Sequence, residues 1–183
     1  MITIENGRPA MTDGRQEREI RTYDLLDRLG VPYQRADHAP AMTMEDCLEV
    51  DRAMGVSMCK NLFLCNRQQT DFYLLLMPGD KPFRTKELSA QIGTARLSFA
   101  SAEHMLQKLD ILPGSVSVMG LANDKEHHVQ LLIDEDLLEQ KLFGCHPCVN
   151  TSSLCFTTED LLRTILPALG YSYRTVKLGM EEI

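Results

Sequence analysis

At 183 residues the chain has the length of one domain, and a composition of 44% hydrophobic and 25% charged residues excludes a disordered, collagen-like or low-complexity polymer. Its 19 Lys and Arg against 26 Asp and Glu give a net charge of −7, which argues against a broad basic face for duplex DNA but not against a grip on the end of a nucleic acid. No apolar run approaches the roughly 18–20 residues that span a bilayer. The polar start MITIENGRPAMTDGRQERE lacks an apolar signal core, so the expected location is cytoplasmic, with no membrane partner.

Residues 1–18 read as a loose leader and 19–183 as a single domain. Ile20, Tyr23, Leu26 and Leu29 recur at helical spacing, and Gly30 and Pro32 stop that helix. YQRADH (33–38) reads as a short strand. Thr43 caps a second helix, TMEDCLEVDRAMG, with Glu45 and Asp46 where carboxylates complement the helix dipole. NLFLCN (61–66) and DFYLLLMP (71–78) form a hairpin by the simplest reading.

RTKELSAQIG (84–93) is a helix ending at Gly93, RLSFA (96–100) a strand, and Ser101 caps SAEHMLQKLD. GSVSVMGLAND reads as a glycine-flanked turn into a strand. VQLLID (129–134) is a strand and DEDLLEQ a short helix. LFGCHPCVNTSSLCF is turn-rich and then strand-like. Thr157 or Thr158 caps EDLLRTILPALG, and SYRTVKL (172–178) is a last strand. Without a regular βαβ rhythm, the pattern predicts one α/β domain with a mixed, largely antiparallel sheet and helices outside.

Six cysteines without a signal peptide predict free thiols. Cys145-His146-Pro147-Cys148 is a CxxC, but the residues after it are poor helix formers, and a redox thiol wants a helix N-terminus. A zinc site wants four ligands, and neither Cys59, Cys155 nor His127–His128 stands at a strong ligand spacing. Lys60 opens an apolar strand; spacing alone favours an ammonium at a solvent-exposed sheet end over one aimed into a pocket. Gly114-Ser115-Val116-Ser117-Val118-Met119-Gly120 offers N–H groups and hydroxyls that suit an anion, but it is not a phosphate-binding lysine loop. No His pairs with a Ser or Cys in a nucleophile motif, so any hydrolysis proceeds without an evident triad.

In order, these segments give His38-x-Pro40-x-x-Thr43-x-Glu45, Lys60-Asn61-Leu62-Phe63-Leu64, Lys86-Glu87-Leu88, RLSFAS-E, Gly114-Ser115-Val116-Ser117, Gly120-Leu121-x-Asn123-Asp124 and His146-Pro147-x-x-Asn150-Thr151. Over about residues 20–178 the chain resembles the YbaK/ProX family of free-standing prolyl-tRNA editing domains, most of all its PrdX-type prolyl-tRNA deacylase branch. The resemblance implies a curved, barrel-like mixed sheet surrounded by helices. It also implies a trans-editing hydrolase that deacylates mischarged tRNA(Pro), in this branch Ala-tRNA(Pro), with water as nucleophile and neither metal nor other cofactor.

By the same resemblance Lys60 matches the essential lysine, and Asn61 positions the aminoacyl group. Gly114, Ser115, Val116, Ser117, Val118 and Gly120 form a loop that approaches the ester and the terminal adenosine, where backbone N–H groups suit an oxyanion. His146 and Asn150 match one pocket wall and Thr43 the opposite one. The implied partners are the acceptor end of tRNA(Pro) and prolyl-tRNA synthetase. Val118 departs from the family's frequent Gly-x-x-x-Pro loop and motivates an alternative: a catalytically weak relative that binds tRNA or the synthetase. A thiol redox or zinc protein using Cys145 and Cys148 is the other alternative.

Overall fold

The computed structural model describes residues 1–41 and 43–179. In chain order the elements are β1 (Thr3–Asn6), α1 (Glu17–Arg28), β2 (Gln34–Asp37), α2 (Met44–Met54), β3 (Lys60–Cys65), β4 (Phe72–Met77), α3 (Thr85–Ile92), β5 (Ser98–Phe99) and α4 (Ala102–Leu109). A 3-10 helix (Val118–Asn123), β6 (Val129–Asp134), α5 (Glu135–Leu138), β7 (Leu142–Cys145) and β8 (Ser152–Thr157) follow. A helical stretch of α6 (Thr158–Asp160), a π segment (Leu161–Ile165) and α7 (Leu166–Ala168) leads to β9 (Tyr173–Val176).

The strands form two open sheets rather than a closed barrel. One has the order β1-β2-β8-β7 and is antiparallel throughout; the other has the order β5-β3-β4-β6-β9. In the second sheet β3 pairs antiparallel with β4 and β5, while β4–β6 and β6–β9 are parallel. A lone bridge between Met58 and Gly144 links the sheets. A Cβ at Gly144 would lie 2.6 Å from the Met58 sulfur, so a side chain there would have to displace the Met58 thioether.

β4 is buried at every position because both its faces are covered. Phe72, Leu74 and Leu76 enter the main core, where Phe63, Phe143, Leu154 and Phe156 bring the two sheets together. Tyr73, Leu75 and Met77 face a second core under α3, with Leu88, Leu97 and Val176. The Thr43 hydroxyl accepts from the Asp46 N–H and Asp46 returns the bond, while Gly55 closes α2 in the left-handed region. In the final helical stretch Pro167 has no N–H for the Arg163 carbonyl, and the Leu166 N–H reaches back to Leu161, a π-type bond.

Three expectations change. Residues 3–6, within the expected loose leader, form β1 against β2; all four are exposed, so no hydrophobic alternation marks the strand. Ionic contacts hold it: the Arg35 side chain is 1% exposed and bonds the Glu5 carboxylate, the Gly7 carbonyl at 2.6 Å and Asp37 at 3.1 Å. The segment after Gly114 turns into a 3-10 helix instead of a strand, with the Ser117 hydroxyl capping the Met119 N–H at 3.2 Å. The expected strand over 96–100 shortens to the two residues of β5.

Candidate active site

A cavity of about 410 Å³ lies beside the Met58–Gly144 bridge. α2 contributes Cys47, Leu48, Val50 and Asp51 to its wall. Residues 57–61 enter from the start of β3, and Pro78, Gly79 and Asp80 from the turn after β4. His38, His146 and Ser153 come from the first sheet and its connections, and Leu137 and Gln140 from the α5 region. The wall is mostly apolar with a few polar groups, the usual make-up of a small-molecule site.

Lys60, Asn61 and His146 all line this cavity. Lys60 is half-buried, and its ammonium donates to the Lys81 carbonyl. That carbonyl is held in place because the Lys81 ammonium is itself anchored, at 3.0 Å to buried Asp134 and 2.9 Å to the Leu178 carbonyl. Asn61 donates its amide to the Cys59 carbonyl at 3.1 Å.

The His146 Nδ1 lies 2.9 Å from the Ser152 carbonyl, and the Ser117 hydroxyl donates to the His146 carbonyl at 2.6 Å. A carbonyl can only accept, so Nδ1 carries the hydrogen and the neutral ring keeps its lone pair on Nε2. Burial pushes the His146 pKa down, with neighbouring His38 adding to the effect, so the ring stays neutral near pH 7. The two rings are 6.5 Å apart. His38 is fixed by the Ala39 carbonyl at 2.8 Å and the Ser153 hydroxyl at 2.9 Å.

The other expected site residues are not among those lining the cavity. Thr43 is exposed and occupied as the α2 cap. The Asn150 carbonyl accepts from the Ala41 N–H at 3.3 Å, and a Cβ at Gly114 would lie 3.8 Å from the Asn150 amide nitrogen. Within residues 114–120 three N–H groups are bonded inside the loop. Ser115 N–H bonds the Leu112 carbonyl at 3.1 Å, Gly120 N–H the Ser117 carbonyl at 3.0 Å, and Met119 N–H the Ser117 hydroxyl. Val116 packs against the main core, and Val118 is 1% exposed within it. A Cβ at Gly120 would lie 2.5 Å from the Ile111 side chain, so this glycine serves packing. The loop reaches the site through Ser117, which holds the His146 backbone from behind.

Cys145 and Cys148 are buried free thiols. Burial pushes Cys145 well above the ordinary thiol range and Cys148 up to about 11, so neither carries the thiolate that redox chemistry needs. Among the described residues no group of three or more His, Cys, Asp or Glu side chains is placed to hold a metal ion.

Sequence reasoning missed His38 and Ser153 as wall residues, and the whole contribution of α2. Cys47 and Asp51 stand at i and i+4, and Leu48 and Asp51 at i and i+3, so one helical face was readable there. What it faced was not.

A model of the aminoacyl-tRNA editing domain family matches residues 38–164. The chain belongs to the aminoacyl-tRNA editing domain family. The editing-domain span includes every cavity residue named above, from His38 to Ser153. Within the family, the chain is 30% identical to the prolyl-tRNA editing protein ProX of Acetoanaerobium sticklandii, over 84% of this chain and 93% of that one. It is 31% identical to prolyl-tRNA synthetase associated domain-containing protein 1 of Danio rerio, over 84% of this chain and 82% of the relative. A crystal structure described as a candidate trans-editing enzyme for prolyl-tRNA synthetase shares the fold at a TM-score of 0.68 and 17% identity, covering 91% of this chain and 99% of that one. Among the described residues, no helix is long and apolar enough to cross a membrane.

Proposed function

We propose that this editing-domain protein is a trans-editing hydrolase that deacylates mischarged tRNA(Pro), with Ala-tRNA(Pro) as substrate. One observation carries the reading: a single cavity inside the editing-domain span joins an apolar wall to the Lys60 ammonium, the Asn61 amide and a neutral His146 ring. The resemblance to ProX supports the choice of tRNA(Pro). Prolyl-tRNA synthetase, which forms the wrong ester because an apolar pocket poorly rejects a smaller ligand, is the partner upstream. The acidic chain grips the acceptor end alone, and the reaction takes place in the cytoplasm.

In the reaction the oxygen of a water molecule adds to the ester carbonyl carbon and gives a tetrahedral oxyanion. The bond from that carbon to the ribose oxygen then breaks, and a proton from the water ends on the ribose oxygen. Alanine and tRNA(Pro) leave, and the balance requires no oxidant or reductant. Lys60 steadies the developing negative charge or the terminal phosphate. Asn61 positions the aminoacyl group, and His146 forms the wall beside it. Ser117 acts through His146; Thr43 acts through the α2 cap, and Asn150 through the Ala41 backbone.

The test is deacylation of Ala-tRNA(Pro), Cys-tRNA(Pro) and Pro-tRNA(Pro) by the purified chain. Selective loss of alanine is the expected result, with Lys60→Ala inactive yet folded. Full activity in folded Lys60→Ala removes Lys60 from the mechanism. Loss of no amino acid from any ester rejects the enzyme reading in favour of a binding relative.

A further inference from the structure

Two residues of the cavity wall carry unpaired acceptors: Asp51, which the roles above leave unused, and Asn61, whose contact with the aminoacyl group they leave unspecified. Asp51 reaches the wall from the C-terminal part of α2, with the Met58 N–H near enough to favour its ionised form. Its Oδ1 is nevertheless buried without a donor. Asn61 shows the same deficit: the bond from Nδ2 to the Cys59 carbonyl fixes the amide's orientation, and Oδ1 is buried with no donor. An acceptor left in this state bears its desolvation penalty uncompensated, and a charged one bears more. The Lys60 ammonium turns to the Lys81 carbonyl instead. Both residues line one cavity, so two unpaired acceptors, one anionic, lie just behind its surface, where a side-chain turn presents them to a cation with several N–H donors.

We propose that Asp51, assisted by the Asn61 Oδ1, binds the α-ammonium of the aminoacyl ester and thereby sets substrate choice. This inference rests on the editing reading and names the group by which the ester is held. An alanyl ester carries its cation one carbon away from the carbonyl to be attacked. Turning the Asp51 carboxyl about its Cβ–Cγ bond exchanges the two oxygens, so one keeps Met58 while the other meets the ligand. With the ammonium on Asp51, the ester carbonyl is left to Lys60 and the methyl group to the apolar wall. Burial pushes the Asp51 carboxyl upward, a penalty that a bound cation offsets. A primary ammonium offers three N–H donors. The secondary ammonium of a prolyl ester offers two and carries ring carbon on its nitrogen, so the same acceptors disfavour the cognate ester.

The experiment compares Ala-tRNA(Pro) with lactyl-tRNA(Pro), in which a hydroxyl replaces the ammonium. Each rate is corrected for spontaneous hydrolysis, and the full chain is used as wild type, Asp51→Asn and Asp51→Glu. The wild type is expected to favour the alanyl ester by about tenfold or more in kcat/KM, the scale of one hydrogen bond to a charged group. Asp51→Asn keeps an acceptor for Met58 but loses the charge, and the preference collapses. Asp51→Glu restores part of it. Equal use of both esters by the wild type, or an undiminished preference in Asp51→Asn, overturns the proposal. If circular dichroism shows Asp51→Asn unfolded, the wild-type comparison alone decides. A wild type that cleaves neither ester overturns the editing reading itself, a result distinct from equal cleavage.

Discussion

The His146 Nδ1 lies 2.9 Å from the Ser152 carbonyl, and the single Ser152 hydroxyl hydrogen is shared between buried Glu19, at 3.0 Å, and Asp37, at 2.9 Å. The cavity wall is therefore tied to a charged network beneath it. Arg15 completes that network, bonding Glu19 at 2.6 Å and both Asp37 oxygens at 2.9 and 2.8 Å. Arg15, Glu19 and Asp37 precede the editing-domain span at residues 38–164. Support for the site thus comes from residues outside it.

His146 makes stability depend on pH. Its folded pKa is lowered by burial, while an unfolded imidazole titrates at about 6.5. The unfolded chain therefore binds more protons between those two values, and stability rises with pH across that window. The contribution is fully present above about pH 6.5 and is lost as pH falls through the folded pKa. Urea unfolding between pH 5 and pH 8 is expected to show this slope, and His146→Gln to flatten it. An unchanged slope in the variant assigns the dependence to another group.

Asp37 sets a second, more acidic window. Desolvation raises its pKa, but hydrogen bonds from Arg15, Ser152 and Arg35 outweigh that and hold it at about 2, against an ordinary 3.8. The sign is that of a depressed carboxylate: stability is present above the ordinary value and is lost as pH falls toward 2. Discounted for solvent screening, this is about 1–2 kcal/mol. Arg15→Ala is expected to move the acid-unfolding midpoint, followed by circular dichroism, to higher pH. Coincident acid titrations of wild type and variant would show that Arg15 contributes nothing to this hold.

The periodic segments were legible because local chemistry decides them. Thr43 with Asp46 is a cap readable in four residues, and the continuous apolar run of β4 admits few structures except a strand covered on both faces. β1 was not legible, because Arg35 and the β2 ladder hold it rather than an apolar face. The site was legible only where a residue type stood out in a known order, as Lys60-Asn61 and His146 do. Asp51 did not stand out, since an aspartate on an acidic helix reads as solvated surface. Its place in the wall depends on His38, Met58, Pro78 and Leu137, which are distant in sequence and meet only in the folded chain. The segment after Gly114 was misread only in its backbone: Val118 and Gly120 pack against the core in a 3-10 helix, and its small and β-branched residues suit a strand equally well.

Thiol chemistry gives an independent check. Cys145, Cys148 and Cys155 are buried with raised pKa values, and Cys59 is pushed up to about 12 by burial. Cys47 is half-exposed on α2, and its pKa is raised by burial and by the Asp51 and Asp46 charges. Iodoacetamide on the native protein at pH 8 is expected to modify Cys47 slowly and first, with Cys145 and Cys148 reacting only after urea is added. Peptide mass mapping reads the order. Rapid native labelling of Cys145 or Cys148 would revive the redox reading of the CxxC.

Gly144 tests the junction on which the cavity depends. A Cβ there would lie 2.6 Å from the Met58 sulfur and 3.3 Å from a Val56 methyl carbon, and Met58 lines the cavity. The Met58 side chain is flexible enough to move, but its backbone is bridged to Gly144, so relief must come from the side chain or from separation of the sheets. Gly144→Ala is expected to lower the unfolding free energy by about 1–3 kcal/mol, the usual cost of overpacking. It is also expected to raise KM for the alanyl ester more than it lowers kcat, because the wall shifts while the Lys60–Lys81 contact involves neither Gly144 nor Met58. Adding Met58→Ala removes the clashing sulfur, so the double variant recovers part of the stability that Gly144→Ala lost. If the double variant is as unstable as the sum of the two single losses, the clash is not the cause, and separation of the bridged strands is.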